Sequence, residues 1–212
     1  MATNGTKMSS EIRSFEDAVA FHGHTCPGIA IGYRVSQIAL EMFDYDPTKD
    51  EDLVCIAEND ACSVDGIQFV SGCTLGKGNL IFRDYGKQVY TFIPRDGTEA
   101  LRISLKNSAS METVCPEAIG VRAKVFAGTA TPEEVDIYAK GRSDLVDHYL
   151  HAPAEELFTI EKILPALPER ARIFNTGVCT ICGEPVSESR ARIQDGKIVC
   201  IPCYNDYAGI NR

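Results

Sequence analysis

The sequence predicts an α+β protein with a small metal-bound module at its C-terminus. Three observations carry this. Helical and strand-like segments alternate irregularly, without the repeated strand–helix units of a doubly wound fold, so an antiparallel or mixed sheet with packed helices is expected. Two short apolar runs flank Tyr85-Gly86, the pattern of a β-hairpin. Near the C-terminus, Cys179-Thr-Ile-Cys182 and Cys200-Ile-Pro-Cys203 stand seventeen residues apart, a spacing that suits a four-thiolate zinc site.

The elements follow in order. Residues 1–13 are polar and predict a disordered N-terminus. Ser14, with Asp17 three positions on, predicts a capped start to a short helix through Phe15, Val19 and Ala20. Pro27 suits the first position of a second helix to about Phe43, with Ile31, Val35, Ile38 and Met42 at helical spacing. Asp44 to Asp52 reads as an acidic loop around Pro47. Leu53 to Ala57 is a buried strand. Ser63 is placed to cap a helix over Ile67 and Val70, ending near Gly72.

Asn79–Asp84 and Lys87–Ile93 are expected to form the hairpin, with Pro94 ending its second strand. Glu99–Lys106 supplies another strand. Thr131-Pro-Glu-Glu134 is a strong helix start, with a second helix expected at about Ser143–His151 and a short third one from Pro153 to Leu157. Pro165-Ala-Leu-Pro168 marks a linker, so the core spans 14–168 and the C-terminal module 169–212. Within that module strands are expected near Ala171–Phe174, Arg190–Gln194 and Lys197–Val199, the last two joined by a turn at Asp195-Gly196.

Cys179, Cys182, Cys200 and Cys203 suit tetrahedral zinc and leave no coordination position for a substrate. The module is expected to be a zinc-ribbon or treble-clef-like domain in which zinc is structural. Two disulfides are the alternative. The polar N-terminus and the lack of any long apolar run give no sign of secretion or of a membrane span, and predict a cytoplasmic protein. The net charge of −9 is uneven: from Glu169 onward six basic and five acidic side chains sum to +1, which leaves −10 on residues 1–168. So acidic a core repels nucleic-acid backbones. The ribbon's Arg190 and Arg192 keep nucleic acid open as a partner without demanding it.

The segment with the most chemistry is His22-Gly-His24-Thr-Cys26-Pro-Gly28. Imidazole and thiolate together suit zinc, iron, nickel or copper. Cys26 also precedes a helix, whose N-terminus favours a thiolate there. The alternative is a turn whose histidines satisfy nearby backbone. Cys62, after a strand and before a helix, is the best further ligand or reactive thiol. Cys62 and Cys26 are the candidate catalytic thiols. Cys73 and Lys77 are candidate ligand-binding residues, with a buried small side chain the equal reading for Cys73. Glu58, Asp60 and Asp65 crowd the same stretch; one could act as base or hard ligand, and solvation is the plainer role. Cys55 reads as core, and Cys115 has no assigned place. The Gly72–Gly78 loop has three residues before Gly76-Lys77, where a phosphate-binding loop needs four.

The His-Gly-His-x-Cys-Pro-Gly turn, the Cys62-x-x-Asp65-Gly-Ile-Gln68 segment and the Gly72-Cys-Thr-x-Gly-Lys-Gly-Asn79 loop together resemble the FmdE family of formylmethanofuran dehydrogenase proteins. The resemblance implies an α+β core, a homodimer and an optional C-terminal zinc ribbon. It implies a core site of His22, His24, Cys26 and Cys62 for a second transition metal or small ligand, with Cys73 and Lys77 close by. It also implies a link to one-carbon metabolism and to a redox-enzyme partner. The chain has no ferredoxin-type cysteine run, so electron transfer is not expected of the chain itself. Three functions fit the residues: a metal-binding accessory protein or enzyme component, a stand-alone enzyme using Cys62, Cys26 or an open metal, and an adaptor working through the ribbon.

Overall fold

The computed structural model describes residues 12–45 and 51–205. The expected disorder before residue 12 and the tip of the acidic loop, residues 46–50, lie outside the described residues. The chain divides into two compact units, 1–170 and 171–212.

The first unit opens with α1 (Phe15–His22), where Ser14 accepts from the Asp17 amide at 3.1 Å. Next comes α2 (Pro27–Phe43), with Pro27 in its first turn. Ile31, Val35 and Ile38 are buried as their spacing predicts, whereas Met42 is largely exposed. Then follow β1 (Leu53–Ala57), α3 (Ser63–Ser71), β2 (Leu80–Phe82), β3 (Val89–Pro94) and β4 (Ala100–Leu105). A helical stretch contains α4 (Met111–Val114), α5 (Pro116–Phe126), α6 (Pro132–His151) and α7 (Ala154–Leu157). It ends in β5 (Phe158–Ile163).

The strands form one sheet in the order β2-β1-β3-β4-β5. The expected hairpin between residues 79 and 93 does not form. β2 pairs with β1 in parallel, Cys55 opposite Leu80, and β3 pairs with the other edge of β1 in antiparallel fashion, Cys55 opposite Phe92. The reason is α3, which supplies the crossover that parallel neighbours need. Tyr85-Gly86 therefore carries the chain across the end of β1 instead of turning it back. The sheet is mixed, and the fold is α+β.

One sheet face packs against α2, α3 and the end of α6. Cys55, Tyr90, Phe92, Leu101 and Ile103 meet Val35, Ile38, Ile67, Val70, Leu145 and Tyr149 there, all buried. The pair of helices expected after Thr131 is a single helix, α6, opened by a full capping box between Thr131 and Glu134. Gly141 sits mid-helix without breaking it, because a Cβ there would stand 2.5 Å from the Ala118 Cβ of α5. Helix α5 and strand β5 have no counterpart in the sequence expectations.

Ser63 does not cap α3. It occupies the first helical turn, with Cys62 at the cap position. The Ser63 hydroxyl is drawn inward instead, donating to Asn59 Oδ1 at 3.1 Å and accepting from the Tyr90 hydroxyl at 2.6 Å. Asn59 also holds the Lys87 carbonyl at 2.7 Å. Asn59, Ser63 and Tyr90 are buried, so this network pins the start of α3 to the sheet with its polar groups satisfied.

In the second unit, β6 (Thr176–Val178) pairs with β7 (Pro185–Ser187), and β8 (Arg192–Gln194) with β9 (Lys197–Val199). No strand forms at Ala171–Phe174; the first hairpin starts later. The turn at Asp195-Gly196 has positive φ at both residues, 51° and 71°, as a tight hairpin turn requires. Among the described residues no helix is long and apolar enough to cross a membrane.

Helices α2 and α3 touch almost backbone to backbone. A Cβ at Gly32 would stand 1.9 Å from the Ser63 carbonyl oxygen, and one at Gly66 would stand 2.8 Å from the Tyr33 amide nitrogen. Gly32→Ala is expected to cost about 3 kcal/mol by forcing these helices apart. Gly76→Ala, where a Cβ meets nothing within 4 Å, is the control. Thermal unfolding checks this, and equal midpoints for the two variants would refute the close contact.

Candidate metal centre

The core site begins where α1 stops. Gly23 closes that helix with φ 92°, its amide bonded to the Val19 carbonyl at 2.8 Å. This left-handed residue reverses the chain, so His24 and Cys26 return over the helix end beside His22. The imidazoles of His22 and His24 lie 4.4 Å apart, centre to centre. Cys26 is the N-cap of α2, and its sulfur accepts from the Ile29 amide at 3.5 Å.

Cys62 arrives from the other side of the α2–α3 contact. A Cβ on Gly28 would lie 2.8 Å from the Cys62 Cβ, so only glycine admits Cys62 this close to the cap of α2. His22, His24, Cys26 and Cys62 thereby offer four donor atoms that all lie within 4.8 Å of one another. The His22 Nε2 is 3.8 Å from the Cys26 sulfur. Ligands of a tetrahedral zinc stand roughly 3.5 Å apart at ordinary bond lengths, so the four donors need close in only slightly.

Asp65 lies one helical turn beyond Cys62, and its Oδ2 meets His22 Nδ1 at 2.7 Å. A carboxylate on Nδ1 fixes the tautomer and leaves Nε2 free to ligate, as the second shell of metal sites does. Gln68 holds the other Asp65 oxygen at 3.4 Å and accepts from the Leu75 amide at 3.3 Å. The orienting role of Asp65 was not legible in the sequence, where it was one of three acids. The i, i+3 spacing from Cys62 was the available signal. Burial pushes the Cys62 thiol up, and Cys26 beside it adds to this.

Cys73 and Lys77 are not brought into this cluster. They lie past the C-terminus of α3, the end opposite Cys62. Cys73 is buried in the main core, its sulfur on the Leu53 carbonyl at 3.4 Å, and burial raises its thiol to about 11. Cys55 is buried with it, its thiol pushed well up for the same reason. Cys115 caps no side-chain bond at α5; its sulfur contacts the Gly141 carbonyl at 3.3 Å.

In the second unit Cys179, Cys182, Cys200 and Cys203 form the other cluster, again within 4.8 Å. Each pair sits on a tight turn. Gly183 (φ 78°) follows the first pair, and Cys203 donates its amide to the Cys200 carbonyl at 3.1 Å in the second. The Cys182 and Cys200 sulfurs are 3.9 Å apart. Backbone amides of Cys182 and Cys200 hold the Cys179 thiol down to about 6, while Cys200 and Cys182 beside Cys203 push its thiol up to about 12. Neighbouring sulfurs resist a second negative charge unless a cation shares it, which is the electrostatic demand that zinc meets.

The chain was compared with known proteins. The FmdE family, described as molybdenum formylmethanofuran dehydrogenase operon, matches residues 21–159. The prokaryotic dksA/traR C4-type zinc finger matches residues 172–207, which supports structural zinc on the four cysteines. A protein of Archaeoglobus fulgidus named as a probable S-adenosyl-L-methionine-binding protein is 33% identical over 201 residues, covering 91% of this chain and 53% of the relative. The chain thus spans about half the length of that curated relative. A crystal structure of an FmdE-like protein of tungsten formylmethanofuran dehydrogenase, from Syntrophus aciditrophicus, has the same fold, with TM-score 0.56 and 18% identity over 90% of this chain and 92% of that one.

A thiol near 11 is about one part in a thousand ionised at pH 8. Cys73, and Cys55 with it, should therefore stay unlabelled by iodoacetamide at pH 8 until the protein is unfolded. Peptide mass mapping reads this, and labelling of Cys73 in the folded chain would show that it is not held in the core.

Proposed function

The chain belongs to the FmdE family, and from that premise we propose that it is a metal-binding accessory protein whose core holds a second transition metal. The observation that carries this reading is the gathering of four donors from a turn and a separate helix, with Asp65 orienting one of them. Two imidazoles and two thiolates suit zinc, nickel, copper or iron. Such a metal, when bound, supplies a Lewis acid at the protein surface. His22 and Cys26 are held by Asp65 and the Ile29 amide, and Cys62 completes the set. The relative from Archaeoglobus fulgidus is named for binding S-adenosyl-L-methionine; a small ligand beside the core site is what our reading takes from that name. The raised Cys62 thiol speaks against the rival reading of a free-thiolate nucleophile. Attachment to a molybdenum or tungsten enzyme of one-carbon metabolism is the partner that the family association supports.

Elemental analysis tests the core. Protein purified without added metal should carry two metals per chain, and a Cys26→Ala, Cys62→Ala double variant one. One metal in both proteins sinks the core reading and leaves only the ribbon. Asp65→Asn should weaken the core metal by about 10–100-fold and leave the ribbon metal unchanged.

The same reading takes the chain as a homodimer joined through α5 and the first half of α6. Across residues 116–144 only Ala118 is buried, while Phe126, Val135 and Ile137 are exposed. Helices this short are marginal without packing. The hairpin carries both charge signs, with Arg122 near Glu112 and Lys124 on Glu134, which suits a patch that meets itself across a two-fold axis. Light scattering should give twice the 23.2 kDa of the chain. Phe126→Glu with Ile137→Asp should give monomers, and an unchanged mass would move the contact elsewhere.

A further inference from the structure

The four donors of the core site are anchored unequally. The His22 side chain is 8% exposed, and Asp65 fixes its ring. Cys26 is 6% exposed and held as a helix cap by the Ile29 amide. Cys62 is set by the start of α3 and by its contact with Gly28. His24 has none of these restraints. It is exposed, it stands between Gly23 and Thr25 on the reversing turn, and among the described residues its ring contact with His22 is its one recorded interaction.

We propose that His24 is the exchangeable ligand of the core site, and that the position it gives up accepts a small-molecule thiol with an apolar body. This rests on the core-metal reading above. Three anchored donors keep a metal in place, and a fourth position open to an outside ligand is the arrangement of reactive zinc sites as opposed to structural ones. An unanchored imidazole regains its full rotational freedom and its water contacts on leaving, so its release costs least among the four.

The surroundings select the incoming group. A site already holding two thiolates is soft, which favours sulfur. The Phe21 ring is 56% exposed and lies 5.5 Å from Phe69. Phe69 in turn packs on the cluster of Ala18, Cys26 and Ile29 that lines the thiols. An aromatic shelf thus begins at the residue preceding His22 and runs to the metal-binding sulfurs, and covering it removes apolar surface from water. In the exchange His24 releases its bond to the metal, the thiol sulfur takes that position, and the thiol proton leaves to solvent.

The test uses cobalt(II) as a spectroscopic probe in the full chain, with the Cys26→Ala, Cys62→Ala variant supplying the ribbon background. His24→Ala should keep two metals per chain, with core affinity within about tenfold of wild type, whereas His22→Ala should keep one. Benzyl mercaptan should strengthen the sulfur-to-cobalt charge-transfer band in both wild type and His24→Ala. Half-saturation should come at about tenfold lower concentration in His24→Ala, where no internal ligand competes. Benzyl mercaptan should also bind more tightly than 2-mercaptoethanol. A His24→Ala protein that drops to one metal while wild type holds two would overturn this inference alone. So would two metals with no spectral response to either thiol, or equal affinity for the two thiols. One metal in the wild type would instead bring down the core-metal reading on which the inference stands.

Discussion

The architecture turns on one contact, the near backbone-to-backbone crossing of α2 and α3. Gly28, Gly32 and Gly66 line it, and at each a single added carbon would fall 2.9 Å or less from a neighbouring atom. The crossing puts two helix starts side by side. Cys26 heads one and Cys62 the other, so their thiols meet although 36 residues separate them in the chain. Asp65, one turn into α3, is carried to His22 by the same approach. Loosening the crossing by one methyl group would therefore disturb the ligand set and its orienting carboxylate together.

The sheet supports that crossing from beneath. Strand β1 leads into α3 through the Asn59–Ser63–Tyr90 network, and burial raises the Tyr90 hydroxyl to about 12. It therefore stays a neutral hydrogen-bonding group throughout the pH range in which proteins work. A buried polar network of this kind permits little slippage, because a shifted helix start would leave several donors and acceptors unpaired in a dry interior. The core site thus rests on rigid elements on the Cys62 side and on a reversing turn on the His24 side.

The two clusters differ in kind. Four sulfurs on two tight turns make the C-terminal site a closed tetrahedron whose role is to hold a small unit that has little core of its own. The core site mixes nitrogen with sulfur and borders solvent at His24 and an aromatic surface at Phe21. The first stabilises a fold. The second has the features of a place where something arrives.

Local order was legible in the sequence because its causes are local. Pro27, Ser14 and the Thr131–Glu134 box announce helix starts through caps that act within a single turn, and α2 and β1 occupy the residues expected of them. The paired cysteines likewise declare a metal module through their spacing alone. What the sequence could not decide were matters of distant pairing. β2 beside β1, the unbroken α6 and the edge strand β5 each depend on a neighbour remote in the chain. So do the withdrawal of Cys73 into the core, the turning inward of Ser63, and the choice of Asp65 from three acids as the partner of His22. Residue types and spacing named the donor atoms, since ligand chemistry resides in single side chains. Only the tertiary structure decided which donors converge, because convergence is set by how closely two backbones can approach.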